Sequence, residues 1–199
     1  MPASRTAIAN RALTKVGAAR IIDLTDDTPE GRAVNSMYDI ERRALLREYG
    51  WNFATRRCKL PALADPPDWG YALRYQLPAD FIRLIYVGEW YAFPVRRPYV
   101  TGPLQPWHVE GGQVFTDQGA PLPIVYIADT EEAQDALFDN ALACKLAVEL
   151  NVPMTEGGAD RRELLLKEFD YAIKRAKRAG AIENPPEPIP DDAWIWGRL

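Results

Sequence analysis

One histidine, His108, and two cysteines, Cys58 and Cys144, are the only imidazole and thiol groups in this chain of 199 residues. His108 has no motif around it, and no serine or cysteine stands in a nucleophile-elbow context, so a catalytic triad has no support. A single imidazole also excludes histidine-rich metal chemistry. The cysteine spacing fits neither a zinc site nor a redox pair, which points to reduced thiols and synthesis in a cytoplasm. There is no phosphate loop and no dinucleotide fingerprint. Two acidic groupings remain. Asp65 with Asp68, or Glu89 beside Trp90 and Tyr91, could supply the two carboxylates and stacked aromatics that a glycosidase needs. Asp23, Asp26, Asp27 and Glu30 cluster tightly, but their spacing matches no calcium loop, and negative charge favours the start of a helix. No catalytic, cofactor-binding or metal site is therefore expected, with a carbohydrate-binding or glycoside-hydrolysing role kept as the enzyme-class alternative.

The elements that would position any such groups are legible from punctuation and period. Ser4 can cap a first helix to about Val16, with Ile8, Ala9, Ala12, Leu13 and Val16 on one face and Gly17 as its stop. Thr28 and Pro29 open a second helix to about Tyr49, where Gly50 offers a left-handed exit before Trp51, Asn52, Phe53 and Ala54. On that helix Ala33, Val34, Met37, Tyr38, Ile40, Ala44, Leu45 and Tyr49 span about half of the circumference at ~100° per residue. Glu41 and Glu48 fall inside this arc. Carboxylates there need partners, either Arg42, Arg56 or Arg57 within the chain or groups on a neighbouring subunit.

From residue 52 the pattern turns extended. Residues 71–77 alternate, 82–91 resume as a strand, and Gly111 with Gly112 mark a hairpin between 107–110 and 113–115. Residues 122–128 close this block. Thr130 can cap a third helix, apolar on nearly every side and broken near Pro153 and Gly157-Gly158, as suits the centre of a bundle. A fourth helix over 159–179 buries Leu165, Leu166, Phe169, Ala172, Ile173 and Ala176. Leu164 and Tyr171 form a second, narrow stripe roughly opposite, either a subunit contact or ordinary surface. The fold class expected is α+β: an antiparallel bundle of about four helices (1–51 and 130–180), an inserted, mostly antiparallel β lobe (52–129) and an extended C-terminal arm (181–199).

The arm carries Pro185, Pro186, Pro188 and Pro190, several acids, then Trp194, Trp196 and Arg198. Repeated proline stiffens a chain, and aromatics at its tip are favoured anchors in partner pockets. A formal charge of −4 argues against a general nucleic-acid binder. No secretory segment and no run long enough to span a bilayer are read, so a soluble protein with no membrane partner is expected.

In their order, these features resemble the tail tubular protein A family, the head-to-tail adaptors of short-tailed bacteriophages. The similar residues are Ala12-Leu13 with Gly17, Ile22 and Leu24, the helix 38–46 running into Trp51-Asn52-Phe53-Ala54 with Arg56 and Arg57, Tyr75-Gln76-Leu77-Pro78 with Asp80-Phe81, the strand end at 126–129, and the proline-rich close with Trp194 and Arg198. The resemblance implies a structural virion protein, not an enzyme. It would form a homo-oligomeric ring, of twelve copies, between the portal protein and the tail nozzle protein, and continue the channel for genomic DNA without sequence-specific binding. A neck or head-completion protein of a long-tailed phage is the alternative. Candidate subunit or portal contacts are Glu41, Glu48, Leu164, Tyr171, Trp194, Trp196 and Arg198.

Overall fold

The structure, a computed structural model, describes residues 3–88, 106–132, 134–155 and 159–183. Among these residues it is an α+β fold of four helices and two three-stranded antiparallel sheets. One compact unit comprises Met1–Ala54 with Asp129–Asn184, and Thr55–Ala128 belongs to a second. Glu89, Trp90, Tyr91, Gly157, Gly158 and the arm beyond Glu183 lie outside the described residues.

In the helical unit, α1 (Arg5–Val16) starts where the Ser4 hydroxyl accepts from the Ala7 amide and ends at Gly17 with φ +76°. Its buried residues are the five on the expected face. α2 (Pro29–Glu48) is capped by Thr28, whose Oγ accepts from the Gly31 amide at 3.0 Å. Its end differs from expectation, because the chain leaves through Tyr49 in an extended conformation and Gly50 is not left-handed. The Trp51 indole donates to the Leu45 carbonyl at 2.9 Å, satisfying one of the orphan acceptors that a glycine exit would otherwise serve. Residues Asn52–Ala54 form a 3-10 turn, not a strand.

The buried arc of α2 is also rotated from the expected one. Gly31, Val34, Tyr38, Arg42, Leu45 and Leu46 are buried, whereas Ile40 and Ala44 face outward. The reason is Arg42, which counts as polar in a hydrophobic pattern but is neutralised by carboxylates and so can sit among apolar neighbours. Gly31 is sterically required within that arc, since a Cβ there would collide with the Asp26 carbonyl oxygen. Gly31→Ala is expected to destabilise the helical unit by about 1–3 kcal/mol, read by urea unfolding.

α3 (Ala136–Thr155) packs against all three other helices, and Phe138, Ala141, Leu142, Leu146, Ala147 and Leu150 are fully enclosed. It begins later than expected. Asp135 is its cap, accepting from the amides of Leu137 at 2.7 Å and Phe138 at 3.3 Å, while Thr130 accepts from the Glu132 amide in the approach. Nor does Pro153 end it. The proline lies in the last turn beside exposed Val152, where water can serve the carbonyl that loses its donor. α4 (Ala159–Glu183) packs on α3 and continues past Gly180, because Asn52 donates to the Gly180 carbonyl at 3.0 Å and to the Glu183 carboxylate at 3.1 Å. The helix therefore takes the first three residues of the expected arm.

The second unit holds β1 (Thr55–Leu60), β2 (Leu73–Gln76), β3 (Phe81–Val87), β4 (Trp107–Glu110), β5 (Gln113–Thr116) and β6 (Leu122–Ala128). The sheets run β1-β6-β3 and β2-β5-β4. Gly111 and Gly112, with φ +54° and +74°, make the tight hairpin turn between β4 and β5. Leu60, Tyr75, Leu77, Val87, Val114, Leu122, Ile124, Tyr126 and Ala128 form a core drawn from both sheets. Tyr75 and Tyr126 bury their rings there while their hydroxyls donate to the Gln118 carbonyl and the Asp80 carboxylate.

Candidate functional site

α4 turns its apolar side, Leu165, Ala172, Ile173 and Ala176, into the bundle. About 120° away, Leu164, Tyr171 and Ile182 project into solvent with 63%, 65% and 72% of their surface exposed. At ~1.5 Å per residue the three cover roughly 27 Å of helix. Lys174, Arg175 and Arg178 share the half of this face beyond Tyr171, and the Arg175 guanidinium lies over the Tyr171 ring, 5.7 Å from its centroid. Leu166, expected in the buried stripe, sits at its edge and is partly exposed. The result is an apolar and cationic surface on a rigid element.

Glu41 and Glu48 have a different setting. Glu41 lies 3.7 Å from the Lys145 ammonium, which also reaches Glu149 at 3.9 Å and stands over the Phe169 ring. Glu48 accepts from Lys177 at 3.2 Å and is partly exposed. Both carboxylates thus find lysines on α3 and α4 in place of the arginines expected to serve them, and their charges do not require a neighbouring subunit. Trp194, Trp196 and Arg198 lie outside the described residues.

Arg42 serves another purpose. Its guanidinium bonds Asp129, donates to the Thr130 carbonyl at 3.2 Å and lies 3.5 Å from both Asp39 and Glu131. Arg43 adds a 2.7 Å bond to Asp129, and Arg5 bonds Asp39 and Glu131. Burial opposes charge on Asp129, but Arg42 and then Arg43 outweigh it and hold the carboxyl below its usual range. Burial, with Glu131 nearby, pushes the Tyr38 phenol up to about 12. This cluster clamps α1 and α2 to the segment where the chain returns to the helical unit. It is a structural lock.

Groups that could do chemistry stay dispersed. His108 is exposed on β4, 3.9 Å from Glu110, and no His, Cys, Asp or Glu grouping among the described residues could hold a metal ion. Asp23 accepts from Thr25, and Asp26 from the amides of Ile22 and Asp23, so these acids organise their own loop. A cleft of about 530 Å³ lies between Trp51, Phe53, Gln134, Asp135 and the end of α4, but both its carboxylates are already engaged, Asp135 as the α3 cap and Glu183 as acceptor from the Asn52 side chain. No protein-family model matches the chain, and no curated protein matches it either. No described helix is long and apolar enough to cross a membrane.

The pattern of the sequence places Leu164 and Tyr171 outward, and the structure does so too. That pattern misses Ile182, which joins the stripe only because α4 continues past Gly180. It also misses Ile22 and Trp69, exposed by 92% and 88%.

Proposed function

We propose that the chain is a structural virion protein, a head-to-tail adaptor whose copies form a ring between portal and tail nozzle and line a continuous path for DNA. The observation that carries this is the outward stripe of Leu164, Tyr171 and Ile182 on a helix whose other side already closes the bundle. Large apolar groups aligned along one rigid surface gain shelter when another polypeptide covers them. The family resemblance in the order of motifs supports the same reading, with the C-terminal residues Trp194, Trp196 and Arg198 as further contacts. Its activity would be assembly, not catalysis.

The test is the mass of the full-length protein alone and mixed with its portal protein. Multiple copies per portal ring are expected for the wild type, and a Leu164→Ser/Tyr171→Ser double variant should bind with at least about tenfold weaker affinity while its thermal midpoint stays put, since exposed substitutions usually move stability by less than ~0.5 kcal/mol. A single copy on the portal, or none, would overturn the adaptor reading.

A further inference from the structure

We infer that the α4 stripe of one copy receives the Ile22 loop of a second copy of this chain, so that subunits join head to tail. This rests on the ring reading above and names the surfaces that would build it. Ile22 is the most exposed large apolar side chain described, at 92%, yet its backbone is fixed. The Asp26 carboxylate accepts from the Ile22 amide at 2.7 Å and from the Asp23 amide at 3.1 Å. One residue earlier, the Asn10 side chain both donates to the Ile21 carbonyl and accepts from its amide, each at 2.8 Å, while the Ile21 side chain is buried. The loop therefore holds an isoleucine in water at little further ordering cost on binding, the usual property of an anchor.

Charge selects the occupant. Residues 22–32 contain Asp23, Asp26, Asp27 and Glu30 against the single cation Arg32, which is paired with Asp27. The receiving half of α4, from Tyr171 to Ile182, presents Lys174, Arg175 and Arg178. An acidic loop with an apolar tip thus faces a cationic helix with apolar seats, a complementary pair carried by one chain. The two surfaces do not cover each other within a copy, since Ile22, Leu164, Tyr171 and Ile182 all stay exposed. On α1, Asn10 holds the loop while Lys15 bonds Glu168 of α4 at 2.6 Å, and these positions point about 140° apart at ~100° per residue. Since loop and stripe are different patches, each contact leaves one of each unfilled, and the pairing repeats into a ring or an open helix.

The experiment measures the size of the full chain by sedimentation over rising concentration at low salt, for the wild type, Ile22→Asp and Tyr171→Glu. Both substitutions are at exposed side chains, and circular dichroism checks that the variants are folded. The wild type should form species of several copies that dissociate toward ~1 M salt, where screening acts within roughly 3 Å. Each variant alone should remain a single copy. An equal mixture should form a two-copy species and nothing larger, because the intact stripe of the Ile22→Asp chain meets the intact loop of the Tyr171→Glu chain. Variants that assemble like the wild type, a mixture without the two-copy species, or a wild type that stays single throughout would each overturn the inference. The ring reading is judged separately by the portal mixture: if the double variant at Leu164 and Tyr171 loses portal assembly while Ile22→Asp retains it, the adaptor stands and the loop contact falls.

Discussion

Replacing Arg42 by alanine is expected to cost the helical unit about 3–5 kcal/mol, the largest effect of any single substitution here, because removal of one partner strands the others. Arg42 is only 4% exposed, and Asp129, Asp39 and Glu131 all converge on it. Without it, Asp129 keeps only Arg43 among the described residues, and the Thr130 carbonyl loses its buried donor. The pH dependence supplies a second readout. In the folded wild type the Asp129 carboxyl titrates below its ordinary value. Its contribution to stability is therefore complete above the unfolded value near ~4 and is lost as pH falls through the lowered folded one. Urea unfolding of the wild type should weaken over that acid window, and Arg42→Ala should flatten the slope. Equal stability of variant and wild type at neutral pH would show that the cluster is not a lock.

Phe138→Ala should be nearly as damaging, by about 3–5 kcal/mol, through the cavity it leaves. The Phe138 ring is fully enclosed and meets Trp51 edge-on at 5.0 Å and Phe53 at 4.9 Å. These contacts fasten the turn after α2 onto the first turn of α3. Loss of the ring should lower the unfolding midpoint and change the near-ultraviolet dichroism of Trp51 together. A variant that loses stability with an unchanged aromatic signal would mean that the three rings do not act as a unit.

What could be seen in advance depended on how local its cause was. Ser4 and Gly17 bound α1 through bonds within a few residues, and Gly111-Gly112 write their own turn, so both features were legible. The buried arc of α2 was not, because its centre includes Arg42, whose burial depends on Asp129 from a distant part of the chain. Thr130 looked like the α3 cap by the same local rule that succeeded for Ser4 and Thr28. It lost to Asp135 because residues 129–131 are held by the ion cluster. On the candidate surface, Leu164 and Tyr171 followed from helical period alone. The partners of Glu41 and Glu48 were not legible because Lys145 and Lys177 come from other helices, and Ile22 went unnoticed because exposure is a property of the folded loop.

The β unit leaves and rejoins the helical chain through β1 and β6, which are paired neighbours, with Thr55 opposite Ile127. Strand partners lie only about 5 Å apart, so both ends of the lobe sit within reach of a linker of two or three residues. An architecture of that kind is portable: the lobe can be excised, lengthened or exchanged for another module whose first and last strands are paired, without rerouting the helices.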